Sequence, residues 1–285
     1  MEIIRIPGIM QDTCRKQRQK GRSIGFVPTM GALHAGHLSI IKRAQRENDI
    51  VVVSIFINPI QFGPAEDFAA YPRDVDNDVA KLRELGVDTL FIPDNNLMYP
   101  AGFSTYIQVE GLSGKLCGIT RPGHFRGVAT VVAKLLNVVS PTHAYFGQKD
   151  FQQTVVIRRM VKDLNMNMEI VVCPTLREED GLAMSSRNRY LNPEERSAAT
   201  VLHRALTKTA AMLQSGGLSP AGLKEILAAE LRKEALIASI DYAALYHPET
   251  LDELQVFGQA REVLIAVAAR IGRTRLIDNL MVNID

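Results

Sequence analysis

The chain has 285 residues, of which 46% are hydrophobic and 22% charged, and its formal net charge is +2. This balance is typical of a globular protein with one large or two modest domains, and the small charge gives no electrostatic case for nucleic acid or an acidic membrane. No stretch approaches the roughly 18 apolar residues of a membrane helix. Three scattered cysteines without CxxC spacing argue against a disulfide framework and a cysteine zinc site. Residues 1–7 lack the regions of a signal peptide, so we expect a soluble, cytoplasmic protein.

The first part of the chain alternates short apolar segments with amphipathic ones. Strands are predicted at residues 24–27, 50–57, 89–92, 144–146 and 169–172. Helices are predicted at residues 36–46, 74–85, 128–139 and 151–164. The run at residues 50–57 is almost continuously apolar, as in a strand that is buried on both faces. The alternation predicts an α/β fold with a Rossmann-like, doubly wound parallel sheet.

The pattern changes after about residue 174, where helices come before strands. Helices are predicted at residues 194–214 and 223–236, and strands at residues 240–246 and 263–269. Asn192 and Pro193 supply an N-cap and a first helical position for the first helix, and Gly216 ends it. This order predicts a smaller C-terminal α+β domain. We place the first domain at residues 1–178 and the second at residues 179–285.

The most informative segment, PTMGALHAGH at residues 28–37, follows the first of these predicted strands. His34 and His37 flank Gly36 at the point where a helix begins. The first turn of a helix presents backbone N–H groups and a positive dipole end, so phosphates bind there. Imidazoles beside these donors can bind a phosphate chain and stabilise the charge that builds as pyrophosphate departs. The segment therefore predicts a nucleotide site.

The same two histidines also permit other interpretations. Three residues apart, they share a helix face and could be a chance pair or half of a metal site. A zinc site would need a third ligand at suitable spacing, and none is nearby in the sequence. The context of strand, glycine-containing turn and helix favours phosphate binding.

Two later segments carry groups that suit a nucleotide. In FGQKD at residues 146–150, Lys149 offers a point charge to phosphate, and Asp150 can bind a ribose hydroxyl or cap the helix. In MSSRN at residues 184–188, two hydroxyls stand beside the guanidinium of Arg187, a set that can fold over a triphosphate. The structural alternatives are a helix cap with a solvated lysine in the first segment, and a surface loop with a serine-capped turn in the second.

Amides and basic groups in three other places suit a small substrate. Asn58 and Gln61 follow the buried strand at residues 50–57 and can contact a hydroxylated molecule, and Gln153 begins a later helix. Exposed glutamine on a helix is common, so this last signal is weak. Arg121 and His124 lie in a basic turn that suits an anion or is simply solvated.

Together these segments resemble the pantothenate synthetase (pantoate–β-alanine ligase) family, which belongs to the nucleotidyltransferase superfamily with HxGH and KMSKS-like motifs. The similarity runs from about residue 3 to the C-terminus, through residues 26–37, 53–62, 71–73, 121–128, 146–153, 180–188 and 275–280. The resemblance implies that ATP, with Mg²⁺, adenylates (R)-pantoate and releases pyrophosphate, and that β-alanine then displaces AMP. It also implies a homodimer. On this basis the domain at residues 1–178 would bind the nucleotide and pantoate, and the domain at residues 179–285 would be a lid.

The resemblance further implies a role for each matching residue. His34 and His37 would contact the phosphates, with His37 as proton donor, and Lys149 and Arg187 would complete the catalytic set. The ATP site would comprise Met30, Gly31, His34, His37, Gly147, Gln148, Lys149, Asp150, Leu176, Met184, Ser185, Ser186 and Arg187. The site for pantoate and β-alanine would comprise Gln61, Gln153, Asn58, Arg121 and His124.

Two positions depart from the family pattern. Gln148 stands where glutamate is common, which changes only the local charge. Asn77 stands where an acidic residue is often linked to Mg²⁺, although Asp76 and Asp78 adjoin it. A protein ligand for Mg²⁺ therefore stays open, because ATP phosphates and water can hold the ion largely without one.

Two alternative functions use the same histidines. A nucleotidyltransferase that keeps the nucleotide on its product would share the HxGH turn but would not need Gln61, Gln153 and an amine pocket. Release of AMP separates this alternative from a ligase. A non-catalytic nucleotide-binding module or a zinc-dependent regulator would instead form no pyrophosphate, and the regulator would carry bound zinc.

Overall fold

The computed structural model describes residues 1–64 and 66–284, which fall into two compact units. Unit 1 comprises Met1–Ser113, Arg121–Gly147 and Val156–Pro174, and unit 2 comprises Gly114–Thr120, Gln148–Val155 and the chain from Thr175 onward. The domain boundary between residues 178 and 179 stays a prediction. Within the described ranges, no helix has the length and apolar character needed to cross a membrane.

Unit 1 is built on a six-stranded parallel sheet, which confirms the predicted fold class. Its strands are β1 (Glu2–Ile4), β2 (Ile24–Thr29), β3 (Ile50–Ile55), β4 (Thr89–Phe91), β5 (His143–Gly147) and β6 (Glu169–Cys173). Their spatial order is β1-β4-β3-β2-β5-β6. The sequence analysis missed β1.

The helices in chain order agree in most places with the predicted ones. They are α1 (Pro7–Gln19), α2 (Ala35–Glu47), α3 (Val75–Glu84), α4 (Asn95–Met98), α5 (Cys117–Thr120), α6 (His124–Val139), α7 (Phe151–Asp163), α8 (Pro193–Ala198), α9 (Val201–Ser215) and α10 (Pro220–Arg232). In unit 1, Ile41 of α2 and Leu82 of α3 share a fully buried apolar cluster with Val53 of β3 and Leu90 of β4. Burial of each such side chain contributes about 1.5–3 kcal/mol.

The strand order reverses between β2 and β5. After β2 the chain adds β3 and β4 on one side, and it later places β5 and β6 on the other side. In open sheets of this kind, ligands bind beyond the carboxyl ends of the strands at the point of reversal. Thr29 ends β2 and Gly147 ends β5, so the segment that carries the two histidines leaves the sheet at this point.

Unit 2 contains a three-stranded antiparallel sheet and the helices α8, α9 and α10, as the prediction of an α+β region requires. The strands are β7 (Ile237–Tyr246), β8 (Glu262–Ile271) and β9 (Thr274–Asn283), in the order β7-β8-β9. Leu202 and Leu206 of α9 pack with Leu227 of α10 and Ile265 of β8 in one buried cluster. The sequence analysis did not predict β9, because polar residues interrupt its apolar pattern.

The prediction of a single helix at residues 194–214 is wrong, because α8 and α9 are separate helices. At the break two N–H groups donate to carbonyls three residues earlier instead of four. The N–H of Thr200 donates to the carbonyl of Ser197, and the N–H of Leu202 donates to the carbonyl of Ala199. The hydroxyl of Thr200 also donates to the Ser197 carbonyl at 2.8 Å. This side-chain bond competes with the helical ladder, which explains the break.

Candidate active site

The turn from β2 to α2 places both histidines in the first turn of a helix, as predicted. His34 is the N-cap of α2, and its Nδ1 accepts the N–H of Gly36 at 3.2 Å. The Nδ1 of His37 accepts the N–H of His34 at 3.4 Å, so the pair forms a reciprocal capping box. The two ring centroids lie 4.0 Å apart. The histidines therefore share one face of the helix start.

These caps fix which ring nitrogen carries the proton. A nitrogen that accepts an N–H bond has no proton of its own, so in the neutral ring the proton lies on Nε2. His34 and His37 are each partly exposed. In the neutral rings the Nε2–H groups thus belong to side chains at a helix N-terminus, where an anion is already favoured.

Asp78 of α3 anchors the turn that precedes the histidines. Its carboxylate accepts the N–H groups of Ala32 and Leu33, each at 2.7 Å, although Asp78 lies 46 residues from Ala32 in the sequence. Gly31 and Ala32 have left-handed backbones, with φ of 80° and 51°. A Cβ on Gly31 would lie 3.0 Å from Oδ2 of Asp78, so glycine is needed at this close approach. The sequence analysis noted Asp78 only as a neighbour of a magnesium position.

The residues around position 77 offer no defined metal site. Asp76 and Asn77 are exposed, and the amide of Asn77 donates to Asp74 at 3.0 Å. Both oxygens of Asp78 accept backbone N–H groups. In the part of the chain that the structure describes, no three or more histidine, cysteine or acidic side chains are arranged to hold a metal. These residues therefore identify no protein ligand set for Mg²⁺.

The titration of Asp78 should be visible at the amides it holds. Burial raises the pKa of Asp78, and the N–H groups of Leu33 and Ala32 partly offset this effect. We expect the amide proton resonances of Ala32 and Leu33 to titrate together in an NMR experiment, with a midpoint above the ordinary range of an aspartate carboxyl. A folded-state pKa above the unfolded one means that this site stabilises the fold most at low pH. That stability is lost as the pH rises through the folded-state pKa.

The amide of Ser23 is an internal control for this titration. It donates to the exposed carboxylate of Asp49 at 2.8 Å, and this bond lowers the pKa of Asp49. The Ser23 resonance should therefore titrate below the ordinary carboxyl range. A single common midpoint for Ser23, Ala32 and Leu33 would contradict the assigned effect of burial.

A hydrogen-bond relay orients the side chain of Gln61. The hydroxyl of Tyr99 donates to Oδ1 of Asn58 at 2.7 Å, and Nδ2 of Asn58 donates to Oε1 of Gln61 at 3.0 Å. The acceptor atom of Gln61 is thereby engaged, and its Nε2 lies 3.0 Å from Sδ of Met30 as a donor. Asn58 is only 1% exposed. Its visible role is to position Gln61, and its contact with a substrate stays a prediction.

Arg121 and His124 brace the backbone of the same turn. Nε of Arg121 donates to Glu66 at 2.9 Å, and its Nη1 lies 3.0 Å from Nε2 of His124. Because a guanidinium can only donate, Nε2 of His124 accepts. In the neutral ring, Nδ1 of His124 then donates to the carbonyl of Gln61, 2.8 Å away. The structure thus brings together Gln61, Asn58, Arg121 and His124, and their contact with a substrate stays a prediction.

Gly127 of α6 is a residue of this region that the sequence analysis quoted without giving it a role. A Cβ at this position would lie 2.4 Å from the carbonyl oxygen of Ile60 and 2.6 Å from Cα of Gln61. The helix therefore packs directly on the backbone of the 3₁₀ turn Pro59–Gln61. A glycine next to the apolar helical pattern at residues 128–139 is the signal from which such a contact could have been inferred.

Unit 2 carries the second group of predicted nucleotide residues. Gln148–Asp150 forms a 3₁₀ turn that continues into α7, and Nζ of Lys149 lies 3.9 Å from Oδ1 of Asp150. The two glutamines that follow differ in environment. Gln152 is buried and holds the N–H of Cys117 at 2.9 Å, whereas Gln153 is partly exposed. Gln153 is therefore the substrate candidate of the two.

A tight hairpin precedes the serine–arginine segment. The N–H of Met184 donates to the carbonyl of Leu176 at 3.1 Å, which closes the hairpin at residues 176–184. Oγ of Ser185 accepts the N–H of Arg187 at 3.3 Å and caps the 3₁₀ turn Ser186–Tyr190. The capped turn that the sequence analysis gave as a structural alternative is thus present. It leaves the nucleotide role of these residues as a prediction.

Comparisons with known proteins point to one family. The family model for pantoate-beta-alanine ligase matches residues 2–281. The pantothenate synthetase of Thermodesulfovibrio yellowstonii is 58% identical over 282 residues, which is 99% of this chain and 100% of that protein. That of Moorella thermoacetica is 50% identical over 285 residues, 100% of each chain.

Solved structures give the same result. The crystal structure of pantothenate synthetase from Thermus thermophilus has a TM-score of 0.92 and 48% identity, and the match covers 98% of this chain and 99% of that one. Pantoate-beta-alanine ligase from Francisella tularensis, crystallised with beta-gamma ATP and beta-alanine, has a TM-score of 0.80 and 36% identity, covering 99% of this chain and 97% of that one. The predicted family and enzyme class are confirmed. The chain therefore belongs to the pantoate-beta-alanine ligase family of enzymes.

Proposed function

We propose that this enzyme joins (R)-pantoate to β-alanine through a pantoyl adenylate. A carboxylate oxygen of pantoate attacks the α-phosphorus of ATP, the bond to the β-phosphate breaks, and pyrophosphate leaves. The amine of β-alanine then attacks the acyl carbon, the bond from that carbon to the AMP oxygen breaks, and the amine loses a proton. Adenylation is needed because a free carboxylate is a poor acyl donor.

The observation that carries the proposal is the pair of imidazoles at the N-terminus of α2. Their capping bonds occupy the Nδ1 atoms, so in the neutral rings Nε2 carries the proton, at the helix start that lies where the sheet reverses its strand order. Donors that are fixed in advance stabilise the charge that develops on departing pyrophosphate without reorganising during the reaction. We assign this role to His34 and His37, with His37 as the proton donor.

The other predicted contacts complete the proposal. Gln61 presents an Nε2 donor that suits a hydroxyl or carboxylate oxygen of pantoate. Lys149 and Arg187 supply positive charge for phosphate, and the phosphates with water hold Mg²⁺. The further ATP contacts that we propose are Met30, Gly31, Gly147, Gln148, Asp150, Leu176, Met184, Ser185 and Ser186. The Francisella tularensis relative, crystallised with beta-gamma ATP and beta-alanine, supports this choice of substrates.

Product analysis tests the reaction. The protein is mixed with ATP, Mg²⁺ and pantoate, with and without β-alanine. We expect pyrophosphate in the first mixture, and AMP with pantothenate only when the amine is present. A nucleotide that stays on the final product would favour a nucleotidyltransferase. Untouched ATP in both mixtures would favour a non-catalytic nucleotide-binding module. Zinc bound to the purified protein would instead identify the zinc-dependent regulator.

Replacement of Gln153 by alanine tests the pantoate site. A hydrogen bond to a charged group contributes about 1.5–3 kcal/mol, so the KM for pantoate should rise by about tenfold or more. The KM for ATP should change by less than about twofold. Gln214→Ala, at an exposed position of α9, is the matched control and should change neither constant. Equal rises in both constants for Gln153→Ala would show that the pantoate pocket is misplaced.

We also propose a homodimer, because the family resemblance implies one. We propose a cytoplasmic location, because the use of ATP suits it. Light scattering tests the oligomer. A mass in solution near that of the single 31.5 kDa chain would contradict the dimer.

A further inference from the structure

The motif RLIDNL at residues 275–280 matched the family but received no role in the sequence analysis. In the structure it lies on β9, and its residues Asp278 and Asn279 are each only 3% exposed. We propose that Asp278 and Asn279 form a positioning clamp, which holds the Lys149 turn and the hairpin at residues 176–184 on one strand. The inference rests on the proposed function, in which Lys149 and Arg187 contact the phosphates of ATP.

Asn279 provides the first half of the clamp. Its Nδ2 donates to the carbonyl of Gln148 at 3.1 Å and to the carbonyl of Lys149 at 2.9 Å. One amide nitrogen with two hydrogens can satisfy both carbonyls, which a carboxylate or an aliphatic side chain cannot do. A flipped amide would set its oxygen against two carbonyl oxygens, so the orientation is determined. The turn that carries Lys149 is thus fixed through its own backbone.

The other atom of the Asn279 amide shows that this arrangement has a cost. Its Oδ1 is buried and has no hydrogen-bond partner among residues 1–64 and 66–284. Buried polar atoms are seldom left unsatisfied, and each exception calls for an explanation. The two bonds to the Lys149 turn provide one, because they use the amide as a donor and leave its acceptor unused.

Asp278 provides the second half. Its two oxygens accept Nη1 and Nη2 of Arg177 at 2.6 and 3.0 Å, a bidentate pair. The same guanidinium donates to the carbonyl of Gly181 at 3.0 Å, within the hairpin. Asp278 also accepts the N–H of Asn279 at 2.8 Å. The hairpin that leads into the serine–arginine segment is therefore tied to the residue beside Asn279.

The strand that carries both residues is a suitable rigid base. β9 pairs with β8 through every residue from Thr274 to Asn283. Two adjacent residues of this strand hold the turn that carries Lys149 and the hairpin that leads to Arg187, the two residues of unit 2 to which we assign phosphate contacts. Side chains that bind a ligand must be held within about 0.5 Å of their productive positions, and such supporting bonds provide that accuracy. The clamp therefore acts on nucleotide binding through Lys149, without touching the nucleotide.

Kinetics of five variants test the clamp. For Asn279→Ala we expect kcat/KM for ATP to fall by about 10- to 100-fold, with the KM for pantoate changed by less than about threefold. The double variant with Lys149→Ala should be no more than about twofold worse than Lys149→Ala alone, because both changes act through one group. Asn279→Asp keeps the side-chain shape but loses the donors at neutral pH, so it should resemble Asn279→Ala. Asn283→Ala, at an exposed position of β9, should behave as the unchanged enzyme.

Hydrogen exchange provides a readout that is independent of activity. Amides in residues 148–153 should exchange about tenfold faster in Asn279→Ala than in Asn283→Ala. Unchanged exchange there would overturn the clamp, whatever the kinetics. The clamp would be overturned, and the proposed function would stand, if the losses in kcat/KM for ATP multiplied in the double variant. The same would hold if Asn279→Ala kept normal turnover while Lys149→Ala was impaired. If the unchanged enzyme forms no pyrophosphate, the proposed function fails and the exchange result alone decides the clamp.

Discussion

Replacement of His37 by alanine is expected to slow pyrophosphate release from ATP and pantoate by about 10²- to 10⁴-fold. This range is typical for the loss of a general acid, and the change also removes an N–H donor from the helix N-terminus. The fold should survive, since the ring is partly exposed and its capping bond to the N–H of His34 is long, at 3.4 Å. Initial rates at saturating substrates, with the unfolding midpoint measured in parallel, test both statements.

His37→Gln separates the chemical role of the ring from its capping role. Glutamine is an ordinary partner at this position of a capping box, so it can still accept the N–H of His34. It also keeps an N–H donor, but it has no ionisable ring to deliver a proton. We expect stability close to that of the unchanged enzyme together with a turnover that stays impaired. Recovery of full turnover in His37→Gln would reduce His37 to a structural cap.

The parts of the fold with a regular apolar pattern could be predicted from the sequence. β3 is an apolar run between polar neighbours, and the predicted helix at residues 128–139 lies within α6. β9 shows why other elements could not be predicted. Its Asp278 and Asn279 break the pattern, yet both are buried, because Arg177 and the backbone of residues 148–149 satisfy them. A local pattern cannot show partners that lie more than 100 residues away.

In the candidate site, too, some features could be predicted from the sequence and others could not. The two histidines and Gly36 are contiguous in the chain, so their place at a helix start could be predicted directly. Asp78 holds the turn before them from 46 residues away, and Tyr99 acts on Asn58 across 41 residues. Neither role follows from residue type or spacing. The position of the two histidines could thus be predicted from the sequence, whereas the residues that hold Asn58 and the turn before the histidines could not.

Replacement of Gly127 by alanine is expected to damage the Gln61 turn more than any other single methyl addition in this site. The new Cβ would lie 2.4 Å from the Ile60 carbonyl and 2.7 Å from the Gln61 nitrogen, and neither is the movable end of a side chain. Either α6 or the turn must shift, which typically costs about 1–3 kcal/mol. The shift also disturbs the bond from Asn58 to the Gly127 carbonyl. We expect adenylation to fall by about 100-fold and the KM for pantoate to rise.

The same change at Gly8 is a matched control for Gly127→Ala. Gly8 also lies in a helix, α1, but a Cβ there would meet no atom within 4 Å. Alanine at that position should leave turnover unchanged and raise the free energy of unfolding by up to about 1 kcal/mol, because alanine favours a helix more than glycine does. Denaturant unfolding and pantoate saturation curves compare the two variants. If Gly127→Ala kept both the stability and the KM of the unchanged enzyme, the turn would not depend on this contact, and the relay to Gln61 would lose its structural basis.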